Sequence, residues 1–340
     1  MIDFSGFLDL PLIWGGLIAT AISLYVILDG FDLGCGILFP FAPSDKCRDR
    51  IMNSIAPFWD GNETWLVLGG GGLFVAFPVA YAILMPAFYI PICFMLIGLI
   101  FRGVAFEFRF KASKKQRKIW DISFHIGSIL AAFMQGMILG NFVQGIEVTG
   151  NSFSGGPLDW ATGFSMLSGI GVVFGYALIG STWLIMKTED ETQSWARGVA
   201  RYVFGYIVIA MISVSIAMPI VEENVFNVWF SMPNILYLSL IPIITALLFF
   251  ILWKSLRNKA SEYIPFFSSI GLFFMGYLGL IISIYPWIVP FKKTLWDAAA
   301  VGTSQTFTLI GMIFLLPIIL CYTAYCYYIF RGKSSHEKMY

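Results

Sequence analysis

Eight runs free of Asp, Glu, Lys and Arg divide the chain: Leu10–Leu28, Thr64–Phe101, Ile122–Ile146, Trp160–Met186, Tyr202–Val221, Asn224–Trp253, Tyr263–Phe291 and Ala298–Phe330. A helix crosses about 30 Å of hydrocarbon with about 20 apolar residues, so seven of these runs each predict one spanning helix. Thr64–Phe101 is too long for one crossing, since a single helix over it would reach roughly 57 Å at about 1.5 Å per residue. Pro78 and Pro86 fall inside it, and the run predicts a tight helical hairpin. Two helices need more residues than the run holds. They borrow from its flanks, which draws Asp60, Glu63, Arg102 and Glu107 into or against the membrane. The expectation is an all-α polytopic membrane protein with nine transmembrane helices.

The polar residues between the runs set an orientation. With nine helices, the loops on one side hold 18 of the 21 Lys and Arg, from Lys46 to Lys338. The other side holds Lys292 and Lys293, and Arg102 falls at a predicted helix end. Basic residues stay on the cytoplasmic side, so the expected topology is N-out and C-in. The stretch Met1–Gly6 has no basic residue, so it does not read as a signal-peptide n-region, and the first run is expected to remain as a span. No long hydrophilic segment interrupts the chain, so any chemistry belongs in or at the membrane.

Composition narrows the classes further. The chain is 58% hydrophobic, 17% aromatic and 12% charged, with a formal net charge of +1. Globular domains carry about 25% charged residues, so this is no disordered chain. The small net charge speaks against a nucleic-acid partner. Its five cysteines form no CxxC pair and read as small apolar side chains, with no disulfide framework.

Ionisable groups in a bilayer are costly and need a reason. The first predicted helix ends in Leu28-Asp29-Gly30-Phe31-Asp32, and the second begins in Phe58-Trp59-Asp60-Gly61-Asn62-Glu63-Thr64-Trp65. Asp29 and Asp32 are three residues apart and share a face, as do Asp60 and Glu63. Both pairs lie at the same ends of adjacent antiparallel helices. The four acids are therefore expected to meet near the inner leaflet with Asn62 and Thr64, and Arg102 is the counter-charge. Three readings stay open: a proton path, a structural ion cluster, and a cation site. The spacing does not fit an EF-hand loop. Asp60 and Glu63 suit a helix N-terminus, whereas Asp29 and Asp32 at a C-terminus do not.

Other features read as structural. Gly69-Gly70-Gly71-Gly72 lacks the Lys and Ser/Thr of a phosphate loop and suits close helix packing. His125 is the one histidine in a span, and His336 lies in the tail, which leaves no pair for bis-histidine haem. His125 is expected to be a hydrogen-bonded structural residue. Asp297 reads as the N-cap of the last helix. No metal-ligand spacing and no nucleophile motif is present, so no residue is assigned a catalytic role.

Several strings recur in a fixed order along the predicted helices. They are Asp29-Gly30-Phe31-Asp32-Leu33-Gly34, Asn53-Ser54-Ile55-Ala56-Pro57, Trp59-Asp60-Gly61-Asn62 with Trp65, and Arg102-Gly103-Val104-Ala105-Phe106. Gly140-Asn141-Phe142-Val143-Gln144-Gly145, Leu295-Trp296-Asp297-Ala298 and Pro317-Ile318-Ile319-Leu320-Cys321-Tyr322-Thr323-Ala324 follow. Together they resemble, nearly end to end, the second subunit of the bacterial cytochrome bd-type quinol oxidases, including the cyanide-insensitive branch.

The resemblance implies two four-helix bundles plus one peripheral helix, dividing the chain as 1–150, 151–290 and 291–340. It implies a multi-pass subunit of the bacterial cytoplasmic membrane, in an enzyme that couples quinol oxidation to oxygen reduction. The haem-bearing first subunit is the implied partner. It holds the b- and d-type haems, and this chain holds none. The second subunit is expected to stabilise that partner and to contribute to proton uptake. The motif match carries Asp29 and Asp60 over as proton-path positions, with Asp32 and Glu63 nearby. Some members have Gln at the position of Glu63. An apolar passage near Trp65 is proposed to admit dioxygen in some members, which makes Trp59 and Trp65 the oxygen-access or packing residues. A structural quinone or lipid occupies a pocket in some. Small single-helix accessory subunits, the quinone pool and lipids complete the implied surroundings. The linker Glu222–Asn234 is brief, so an extended external loop is absent there. Two rivals come from other classes: a secondary transporter or channel using the carboxylate cluster, and a stand-alone b-type cytochrome using His125.

Overall fold

The computed structural model describes residues 8–334. The Met1–Gly6 stretch and His336 lie outside them. Among the described residues, eight helices are long and apolar enough to cross a membrane.

Helix α1 (Leu10–Leu38) starts at Asp9, whose carboxylate accepts from the Leu12 amide at 3.1 Å. The sequence places its end at Asp32, but the helix continues to Leu38. Two glycines in the added turns, Gly34 and Gly36, have neighbours standing where a Cβ would be. A Cβ on Gly34 would lie 1.9 Å from the Tyr176 carbonyl oxygen, and one on Gly36 would lie 2.0 Å from Ser128 Oγ. Glycine here lets backbones touch, and the helix is held by what packs on it. Asp29 and Asp32 are thus interior to α1 and nearly fully buried. They are not at its C-terminus.

A short amphipathic helix, α2 (Asp45–Ile55), follows, which the hydropathy runs do not reveal. Its signal was local: Ser44 caps it by accepting from the Cys47 amide, and Asp45 sits in its first turn. The long Thr64–Phe101 run then resolves into α3 (Trp59–Ala76), α4 (Pro78–Ala87) and α5 (Tyr89–Arg109). The chain breaks at Phe77, before Pro78, and again at Phe88, after Pro86. The two legs, α3 and α5, do not close on each other as a tight hairpin: α4 separates them, α3 packs on α1 and α5 packs on α6. Helix α5 extends past Arg102 to Arg109, so Arg102 is an interior residue and not a helix end. Arg109 fixes that extension by pairing with Asp49 at 2.6 Å and Asp121 at 2.5 Å. Of the four glycines in α3, Gly69 and Gly72 pack on Ile22 and Ile18 of α1, while Gly70 and Gly71 are exposed.

Helices α6 (Lys114–Gln144) and α7 (Gly163–Lys187) are joined by a two-strand hairpin, β1 (Val148–Thr149) with β2 (Ser152–Phe153). Helix α8 (Asp190–Val221) starts a dozen residues before its predicted run. The 224–253 run contains α9 (Glu223–Phe230), α10 (Asn234–Leu238) and α11 (Leu240–Arg257), then α12 (Ile264–Ile284) follows. A second hairpin, β3 (Trp287–Val289) with β4 (Lys293–Thr294), leads to α13 (Gly302–Ile329). Asp297 does not cap α13. Its Oδ2 accepts from the Thr294 amide and hydroxyl and fixes the turn before it.

Helix α3 packs on α1, α1 on α6 and α6 on α5, whereas α7, α8, α11 and α12 close a ring in which each packs on two others. The two sets meet through α7 against α1 and α6. Helix α13 lies along α3 and α1, mostly exposed. At one end Gln305 donates to the Ala76 carbonyl at 3.0 Å, and at the other Tyr327 donates to Asn62 Oδ1 at 3.0 Å. Buried aromatics fill the junction, with Phe31 stacked on Trp183 at 4.0 Å and Phe58 on Tyr327 at 4.4 Å.

Candidate functional site

Three helices bring the buried acids together. Asp29 and Asp32 come from α1, Glu63 and Asn62 from the first turns of α3, and Arg102 from the middle of α5. Arg102 Nη1 donates to Asp29 Oδ1 at 2.5 Å, and its Nη2 donates to Glu63. The guanidinium fork thereby ties α1 and α3 to α5, a geometry a lysine ammonium does not reproduce. Asp32 Oδ2 accepts from Asn62 Nδ2 at 2.7 Å, and Asn62 also donates to the Leu28 carbonyl. The Tyr327 hydroxyl closes this arm from α13.

Burial grades across the cluster. Asp29, Asp32 and Arg102 are almost wholly enclosed, whereas 29% of the Glu63 side chain is open. Asp60, one turn before Glu63, faces outward and lies outside the hydrogen-bonded cluster. The acids expected to meet as four therefore form a buried group of three, with the fourth on the adjoining surface. Thr64 also points outward, its hydroxyl donating to the Asp60 carbonyl. Asp29 Oδ2, Asp32 Oδ1 and Arg102 Nε are buried with no hydrogen-bond partner among the described residues. Carboxyls in a row, one end at the surface and the other enclosed, can take up and pass on protons.

Tyr25, Gln135, Tyr176 and Tyr327 are also polar neighbours of the cluster. Sequence reasoning missed them. Tyr25 had a signal, since it precedes Asp29 by one turn on the same face. Gln135 is a polar amide within an otherwise apolar run. Tyr176 and Tyr327 are distant in sequence and only packing reveals them.

The two tryptophans differ. Trp59 is partly buried and stacks on Phe106. Trp65 is buried against Ala21 and Tyr25, and its indole Nε1 has no partner among the described residues. It lines an apolar crevice of about 50 Å³ between α1, α3 and α13, with Trp14, Leu68, Met312 and Leu316. His125 faces the last turns of α1, with Nδ1 3.2 Å from the Gly36 carbonyl oxygen. No group of three or more His, Cys, Asp or Glu side chains is arranged to hold a metal ion among the described residues.

Residues 10–330 match the family described as cytochrome bd terminal oxidase subunit II. The chain is 30% identical to cytochrome bd-I ubiquinol oxidase subunit 2 of Escherichia coli (strain K12), with 99% of this chain and 97% of that protein covered. It is 27% identical to cytochrome bd ubiquinol oxidase subunit 2 of Bacillus subtilis (strain 168), covering 96% and 97%. Its fold matches the solved bd oxidase from Geobacillus thermodenitrificans with a TM-score of 0.71 at 16% identity, over 95% of this chain and 99% of that one.

Proposed function

Since the chain belongs to the cytochrome bd terminal oxidase subunit II family, we propose that it carries cytoplasmic protons toward the oxygen-reducing centre of a haem-bearing partner subunit. The chain is a multi-pass subunit of a bacterial inner-membrane quinol oxidase. Family membership replaces the transporter and stand-alone cytochrome readings. The observation that carries the proton role is the Arg102-centred cluster, graded from exposed Asp60 through partly open Glu63 to enclosed Asp29.

The chemistry follows from those positions. Asp60 and Glu63 receive protons at the surface, and Arg102 holds Glu63 and Asp29 close enough for transfer along the cluster. Asp32 and Asn62 form a side arm. On this reading α3 is the ninth span. Three polar residues in its first turns, Asp60, Asn62 and Glu63, lower its apolar content, yet it packs lengthwise on α1. Nine spans put the basic loops together on the cytoplasmic side, with the N-terminus outside. The α1/α3/α5/α6 and α7/α8/α11/α12 sets are then the two four-helix bundles, and α13 is the peripheral helix. The subunit also stabilises its partner, and the crevice beside Trp65 admits dioxygen. The b- and d-type haems reside in the partner.

The test is a reduced-minus-oxidised absorption spectrum of the complex purified through a tag on this chain. Bands of b- and d-type haem with a larger co-purifying subunit are expected. A colourless single chain from membranes with active oxidase contradicts the partner assignment.

A further inference from the structure

Asp29 is approached from two sides. Arg102 holds it from α5. On the other side stands Tyr25, buried, one turn before Asp29 on the same face of α1. Behind Tyr25 a row of polar groups crosses into the second bundle. Gln135 of α6 donates from Nε2 to the Tyr25 hydroxyl at 2.7 Å. The Tyr176 hydroxyl of α7 donates to Gln135 Oε1, also at 2.7 Å. None of these three is part of the proton path described above.

The row has a direction. A tyrosine hydroxyl has one proton to give, and an amide has a donating and an accepting end. Tyr176 occupies the accepting end of Gln135, so the donating end must face Tyr25. Tyr25 then accepts from Gln135, and its own proton remains free to point at Asp29. Reversing the amide would keep both hydrogen bonds, since a tyrosine hydroxyl donates as well as accepts, but it would turn the Tyr25 proton toward Gln135. Tyr176 reaches this place because α1 and α7 are in backbone contact. A Cβ on Gly30 would lie 2.9 Å from Tyr176 Cε1, so the ring lies directly over α1.

We propose that Gln135 and Tyr176 are positioning residues for Asp29: they hold the hydroxyl of Tyr25, one turn before Asp29 on the same face of α1, with its proton free to turn toward the carboxyl. Asp29 Oδ1 accepts from Arg102, and its Oδ2, which has no partner among the described residues, is the oxygen the Tyr25 proton would serve. This role rests on the reading of Asp29 as a proton carrier. The second bundle then takes part in proton transfer through α7, although its own spans contribute no acid to the cluster.

The test uses the purified, assembled oxidase carrying Tyr25→Phe, Gln135→Leu, Tyr176→Phe or Asp29→Asn, each checked for full haem content. Oxygen consumption is measured against quinol concentration. Each of the first three variants should lower kcat about fivefold, the fold-change of one neutral hydrogen bond worth about 1 kcal/mol, with KM unchanged. Gln135→Leu should cause no further loss when added to Tyr25→Phe, because it acts through Tyr25. Wild-type kcat in Gln135→Leu and Tyr176→Phe, beside a slow Asp29→Asn, overturns the positioning role and leaves Asp29 as a carrier. Additive losses in the double variant also overturn it. Wild-type kcat in Asp29→Asn overturns the carrier reading itself. Tyr176→Phe deletes one oxygen and keeps the ring, so it decides the matter if Gln135→Leu lowers assembly.

Discussion

Gly34 of α1 and Gly180 of α7 meet backbone to backbone, such that a Cβ on Gly34 would lie 2.9 Å from the Gly180 Cα. The obstacle is main chain on both sides, so neither side yields without moving a helix. Gly34→Ala should therefore exceed the roughly 1–3 kcal/mol typical of an overpacked core and lower the yield of folded complex. Gly198→Ala, where a Cβ meets nothing within 4 Å, should leave the yield unchanged. Size-exclusion yield from solubilised membranes compares them.

Among the described residues, Arg102 is the one cation paired with Asp29 and Glu63, so its loss strands two carboxylates. Arg102→Leu should destabilise the subunit by about 3–5 kcal/mol, the cost of breaking a buried pair. Arg102→Lys should retain more stability but not restore it, because an ammonium does not span both partners as the fork does. Thermal unfolding of the purified complex should rank wild type above Lys and Lys above Leu.

The end of α13 is held by a side chain from α7. Lys187 Nζ donates to the Phe330 carbonyl and, at 2.8 Å, to the Gly332 carbonyl. Ser334 adds bonds from its amide to the Lys187 carbonyl at 2.7 Å and from its hydroxyl to the Arg50 carbonyl at 3.0 Å. A cation at a helix C-terminus satisfies carbonyls that the helix itself leaves unpaired. Lys187→Met should speed amide exchange in residues 326–334 by roughly tenfold and leave the centre of α7 unaffected. Equal exchange in both proteins would show that the clasp contributes nothing.

The same tail carries an acid-sensitive contact. Hydrogen bonds from Lys333 and Gln193 hold the Glu262 carboxyl below its ordinary value of 4.5. A carboxyl depressed in the folded state stabilises fully above its unfolded value, and that contribution is lost as pH falls through the folded one. The Lys333–Glu262 pair should hold at pH 7 and open below about 4.5. About a third of the Glu262 side chain is exposed, so the effect should stay under about 1 kcal/mol. Tail exchange measured from pH 7 to 3.5 should show an acid-dependent rise that Glu262→Gln removes.

Much of this molecule was legible in the chain. Charge-free runs locate the eight long apolar helices, and Pro78 marks the first hairpin break. The acids of α1 and α3 stand out because the bilayer makes each expensive. The ends of α1 and α5 were not legible, because hydropathy falls where Asp29 and Arg102 enter and nothing local shows that they are enclosed. Their helices continue since α6 and α7 cover them, and Arg109 finds Asp49 and Asp121. Asp60 was grouped with Glu63 by its spacing, but the two are still about 60° apart around α3, and at the edge of its buried face that is enough to turn Glu63 in and leave Asp60 out. Tyr176 and Tyr327 join the site only through tertiary packing.

The central claim is that Asp29 carries protons for oxygen reduction. The most direct measurement is quinol-driven oxygen consumption by the assembled complex carrying Asp29→Asn, alongside its haem spectrum. The account predicts full haem content with turnover reduced at least tenfold, the rate equivalent of about 1.4 kcal/mol. Wild-type turnover at full haem content would contradict it.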